Sequence, residues 1–140
     1  MDVNSVHTLF PKTERLCSRK DIKALFAGGN RSFTAFPLRL VFKASDNEAT
    51  SQVLISVSKR HFKYAVDRNR TKRQIREGWR LNRDILPQHP TLHIAFIWLS
   101  DELKPTELVH RKIRNLLHRT AEQMKTNTEK IQGTNTTESE

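Results

Sequence analysis

Cysteine is nearly absent from this chain, with Cys17 alone among 140 residues. That excludes a disulfide framework and a thiolate zinc cluster. Long apolar runs are missing as well: none approaches the roughly 18 residues of a membrane-spanning helix. The start, Met1-Asp2-Val3-Asn4-Ser5-Val6, has no basic segment leading into an apolar core. No signal peptide is read there, and a cytoplasmic protein is the expectation. Acids are in short supply, 15 against 25 Lys and Arg, for a net charge of +10 and a pI of about 10.3. They are also scattered. Asp67 and Glu77 sit amid arginines and Asp101 with Glu102 opens a loop, so no carboxylate cage for Mg²⁺ is visible. His89 and His93 flank a strand start without a cysteine near them, which argues against zinc. His110 and His118 are two helical turns apart, and no histidine spacing favours an acid/base pair.

What is abundant is positive charge in one place. Residues 65 to 77 read Ala-Val-Asp-Arg-Asn-Arg-Thr-Lys-Arg-Gln-Ile-Arg-Glu, with neither Gly nor Pro to stop a helix. In helical form Asn69, Arg73, Arg76, Arg80 and Arg83 follow i, i+4, i+7, i+11, i+14 spacing and make one polar stripe. Ile75 and Trp79 mark an apolar seam rotated away from it. From Arg60 to Arg83 nine Lys or Arg face only Asp67 and Glu77, a net of +7. An ordinary solvated helix mixes signs at i, i+4 to cancel repulsion. Like charge at this density points to a polyanionic partner, whose phosphates guanidinium forks can grip. The helix lacks the broad Leu/Phe/Trp face of a membrane-surface anchor, so nucleic acid is favoured over membrane.

An apolar share of 36% over this length is enough for one core if the chain ends are loose. The first dozen residues read as irregular up to Pro11. Ser18-Arg19-Lys20-Asp21 has the form of a capping box, Ile22, Leu25 and Phe26 follow at i, i+3, i+4, and Gly28-Gly29 can end the helix. Phe36 to Lys43 alternates as a half-buried strand, with Pro37 pushing one end towards an edge or bulge. After turn chemistry at Asp46-Asn47-Glu48, Val53, Ile55 and Val57 make a second strand, expected to pair with the first as a hairpin. The basic helix follows and is closed by Pro87 to Pro90. Leu92 to Leu99 is nearly all apolar, as in a strand covered on both faces. Pro105 opens a last helix lined by Val109, Ile113, Leu116, Leu117 and Met124. From Lys125 to Glu140 only Ile131 is apolar, so residues 125–140 read as a disordered tail to a single domain of residues 1–124. The order is α-β-β-α-β-α, an α+β two-layer sandwich with helices packed on a small sheet. No internal repeat is visible.

Arg68-Asn69-Arg70-x-Lys72-Arg73-x-Ile75-Arg76-Glu77, preceded by the strand end Ile55-Ser56-Val57-Ser58-Lys59-Arg60, closely resembles the protein component of bacterial ribonuclease P. Phe10-Pro11-Lys12-x-Glu14-Arg15-Leu16, the first helix and the Pro105 helix are similar to that family too, over about residues 9 to 123. The resemblance implies a small basic protein that assists a catalytic RNA in removing the 5′ leader from precursor tRNA. It implies that Lys59, Arg60, Arg68, Asn69, Arg70, Lys72, Arg73 and Arg76 face the RNA subunit. It implies a left-handed β-α-β crossover and a cleft for the single-stranded leader, which by position would include Ile22, Phe26 and Arg39. The family commonly carries aromatics where Ile22 and Arg39 stand; a planar guanidinium can take over part of that stacking. Phe26 is either a core residue or a leader contact. The chain is then expected to be monomeric, to bind the catalytic RNA and precursor tRNA, and to supply no catalytic side chain. Mg²⁺ would be held mainly by the RNA. A ribosomal or assembly protein of similar form is the alternative.

Overall fold

The computed structural model describes residues 14–27, 31–45, 50–87 and 91–139. The irregular start up to Pro11, the Gly28-Gly29 stop, the turn at Asp46-Asn47-Glu48, His89 and Pro90 lie outside them. Helix α1 spans Arg19–Phe26, and the Ser18 hydroxyl accepts the Asp21 amide at 3.3 Å, as the capping box predicts. Strands β1 (Arg31–Ala35), β2 (Leu38–Ser45) and β3 (Gln52–Ser56) precede helix α2 (Ala65–Asn82). A single 3-10 turn, Arg83–Ile85, leads to β4 (Thr91–Trp98), and helix α3 runs Thr106–Ser139. Helix α2 therefore stops at Asn82, ahead of the Pro87–Pro90 boundary expected from sequence. In α3 the helical backbone runs past residue 124, where the composition turns polar.

The α+β class holds, with one strand more than the sequence pattern suggests. Phe36 and Pro37 do not begin a strand; they form the turn between β1 and β2, joined by a cis peptide bond. The sheet order is β1-β2-β4-β3. Strands β1, β2 and β4 are antiparallel neighbours, whereas β3 pairs with β4 in parallel, Val53 opposite Ile94 and Ile55 opposite Phe96. The expected β2–β3 hairpin does not form. A parallel partner needs a long connection, and α2 supplies it.

Alternation along the strands sorts the residues onto two faces. Leu38, Leu40, Phe42, Val53, Ile94, Phe96 and Trp98 meet Ile75, Trp79, Val109, Ile113, Leu116 and Leu117 from α2 and α3 in the main core. Val41 and Ala95, on the opposite face, pack with Leu16 and the fully buried Leu25 of α1. Strand β4 is buried almost throughout, because it is interior to the sheet and covered on both faces.

Candidate nucleic-acid interface

Helix α2 presents its cations because its other side is needed for packing. Thr71, Gln74, Ile75, Gly78 and Trp79 are buried against α3 and the sheet, and this fixes the rotation of the helix. Asn69, Lys72 and Arg76 then face β3 and the segment Arg15-Leu16-Cys17, lining a cleft of about 360 Å³ floored by Val53, Leu54 and Ile55. That segment is held by the sheet, since the Leu16 amide donates to the Val53 carbonyl at 3.0 Å. Among these lining residues none is acidic. The Arg76 guanidinium is held below its ordinary range, first by partial burial and then by the charges of Arg15 and Arg73. Its Nε donates to the Lys72 carbonyl at 3.4 Å. Burial and two neighbouring guanidiniums thus disfavour the charged form of Arg76, and an anion in the cleft would relieve that cost.

The five-residue stripe read from spacing splits in two. Asn69 and Arg73 are exposed and Arg76 is half-buried at the cleft. Arg80 is taken up by Glu77 through two guanidinium hydrogen bonds, and the same bonds hold the Glu77 carboxyl below its ordinary range. Arg83 pairs with Glu14, which also accepts the Trp79 indole N–H at 3.0 Å. Glu14 thereby ties the N-terminal segment to the end of α2. Arg68 has a local task, its Nη1 donating to the carbonyls of Phe62 at 2.9 Å and Lys63 at 3.1 Å. It braces the bend that carries the exposed Lys59 and Arg60. Arg70 is exposed on the helix and Lys72 half-buried in the cleft.

Ile22, Phe26 and Arg39 belong to the α1 side. Ile22 is half-buried against the Leu16, Leu25, Val41, Ala95 cluster, and Leu54 and Ile97 pack on the same cluster. Arg39 is exposed on that sheet face, two residues from Val41 and opposite Ile97, with its Nη2 donating to the Ser32 hydroxyl at 3.3 Å. Phe26 is 48% exposed and so is not a core residue. Leu16 and Leu54 are common to this cluster and to the cationic cleft, so the two surfaces adjoin.

Arg15 is the cleft residue that spacing did not single out. It lies in an irregular segment some sixty positions from Arg76, and the pairing of this segment with Val53 brings it there. Its signal in the sequence is the Phe10–Leu16 motif.

A family model described as Ribonuclease P matches residues 10–128. The ribonuclease P protein component of Porphyromonas gingivalis is 39% identical over 117 residues, covering 79% of this chain and 85% of that protein. That of Desulforapulum autotrophicum is 38% identical over 85 residues, 61% of this chain and 70% of its own length. Among solved structures, the ribonuclease P protein of Thermotoga maritima superposes with a TM-score of 0.64 at 29% identity, covering 76% of this chain and 96% of that one. A Staphylococcus aureus ribonuclease P protein mutant with defective mRNA degradation activity gives 0.67 over 83% and 95%; at 19% identity this likeness concerns the fold.

Proposed function

The chain belongs to the bacterial ribonuclease P protein family, and from that premise we propose how its surfaces divide the work. It is the protein subunit of ribonuclease P, the endoribonuclease complex that processes the 5′ leader of precursor tRNA, with the RNA subunit and the precursor as partners. In our reading Lys59, Arg60, Arg68, Asn69, Arg70, Lys72, Arg73 and Arg76 hold the RNA subunit. Ile22, Phe26 and Arg39 meet the leader, and the protein works as a monomer in the cytoplasm. The observation that carries this is the cleft in which Arg15, Lys72 and Arg76 converge, with no acid among its described lining residues. Dense cations suit the phosphates of a folded RNA, whereas a ring and a guanidinium beside a strand suit unpaired bases.

The chemistry then falls to the RNA. Among the described residues no three His, Cys, Asp or Glu side chains gather where a metal ion could sit. We assign Mg²⁺ mainly to the RNA subunit, as the likeness to the family implies. The chain contributes positioning and charge compensation, which concentrate the two polyanions and blunt their mutual repulsion at low Mg²⁺.

The test is salt-dependent binding of the full chain to its cognate catalytic RNA, alongside leader removal at low Mg²⁺. The seven cations in the RNA-subunit set should contribute a slope of roughly −5 to −6 in log K against log salt, at ~0.7 to 0.9 per contact. Arg73→Ala and Arg76→Ala should each flatten the slope by nearly one unit. Both should raise the Mg²⁺ needed for leader removal. A slope indifferent to these substitutions would mean that the cleft is not the binding face.

A further inference from the structure

We propose that the outer face of α3 is a second RNA-binding surface, separate from the α2 cleft. Arg111, Arg114, His118 and Lys125 stand at i, i+3, i+7, i+14, and all are exposed. They lie on the side of the helix opposite Val109, Ile113, Leu116, Leu117 and Thr120, all of which are buried. Among the described residues none of the four makes an ion pair, although Glu107 and Glu122 are on the same helix. The row from Arg111 to Lys125 extends about 21 Å at 1.5 Å per residue. That is too long for a single small anion and suits a polymer of phosphates.

Beside the row is a place for a base. Arg119, one residue on from His118, lies over the Phe33 ring at 4.9 Å and donates to the Thr34 carbonyl at 2.9 Å. Phe33, His118, Arg119, Glu122 and Gln123 line a cavity of about 350 Å³ there. A guanidinium seated over a ring is a planar group beside an aromatic one, and unpaired RNA bases stack on such groups. The hydrogen bond to Thr34 tethers Arg119 to the edge strand β1.

This surface cannot be an extension of the first. Helix α3 packs over β1 and β2, while α2 lies toward β3. Strands β1 and β3 are the two edges of the sheet, three strand spacings apart, or roughly 14 Å. An RNA strand in the cleft therefore leaves the α3 row free for another segment. The proposal rests on the ribonuclease P reading for its partner, since it takes the occupant to be the RNA of the same complex.

The experiment uses the full chain with its cognate catalytic RNA and compares two variants. Arg111→Gln/Arg114→Gln/Lys125→Gln should flatten the log K against log salt slope by about 2 to 3 and weaken binding about tenfold, with an unchanged melting temperature. This loss should come on top of that from Arg73→Ala. A photo-reactive residue at position 118 should cross-link to nucleotides other than those reached from position 73. An unchanged slope in the triple variant, with no RNA cross-link from 118, overturns the proposal. If Arg73→Ala still flattens the slope in that case, the cleft reading survives; if neither variant moves it, both readings fall.

Discussion

Phe26 and Leu25 are neighbours on one short helix, yet Leu25 is fully buried while Phe26 is 48% exposed. Truncating a buried phenylalanine costs about 3 to 5 kcal/mol because a cavity remains. A half-exposed ring leaves no such cavity, so Phe26→Ala should melt close to the parent protein. If the ring stacks on a leader base, the same substitution should cost ~1 to 3 kcal/mol of holoenzyme affinity for precursors that carry a leader. Affinity for leaderless tRNA and for the RNA subunit should stay as it was. Thermal melting beside binding of the two substrates separates the cases: equal losses for both would remove Phe26 from the leader path. The exposure that decides this was not legible in the sequence. Ile22 and Phe26 share a helix face, but only the seating of Leu25 on Val41 and Ala95 shows how far that face is turned from the sheet.

At the level of elements, α2 and α3 approach closely at Gly78, which has no side chain to hold them apart. A Cβ at this position would overlap Ile113 Cδ1 and come within 3.1 Å of His110 Cδ2. Alanine gains about 1 kcal/mol of helix propensity over glycine. Against that, overpacking a filled core costs about 1 to 3 kcal/mol, and the Ile113 side chain that would have to yield is fully buried. Gly78→Ala should therefore lose about 1 kcal/mol of stability by urea unfolding, and Gly78→Val more; a stabilised alanine variant would show that Ile113 can yield. Elements with a strong local pattern were legible: the capping box of α1, the apolar run of β4 and the basic helix α2. Strand β1 was not, because Arg31-Ser-Phe-Thr-Ala is short, polar on one face and sits at a sheet edge. The parallel pairing of β3 was missed for another reason. Its partner lies beyond α2, and nothing local to Gln52–Ser56 distinguishes a hairpin from a crossover. In the site, cations adjacent in sequence were legible as a group, whereas Glu14 and Arg15, which meet α2 from far along the chain, were not.

Over the whole molecule, charge is divided unevenly along the chain. Residues 126 to 140 hold one lysine and three glutamates, a net of −2, so the chain of +10 would be +12 without them. An acidic end on an RNA-binding protein competes weakly with phosphate for the same cations and cannot itself add phosphate contacts. Among the described side chains of α3, the fully buried ones run from Val109 to Thr120 and precede this stretch. Ending the chain at Lys125 should thus leave stability within about 0.5 kcal/mol of the parent, as for surface changes away from the core. RNA-subunit affinity should be equal or slightly higher, most visibly at low salt, where the removed repulsion is least screened. Leader removal by the reconstituted holoenzyme should be retained. The informative comparison is the affinity ratio of truncated to full chain across a salt series. A ratio at or above one that relaxes towards one as salt rises fits a tail acting only through its charge. A ratio well below one at every salt would mean that the helical backbone up to Ser139 makes contacts of its own with the RNA, and residues 125–140 would then have to be counted as part of the binding domain.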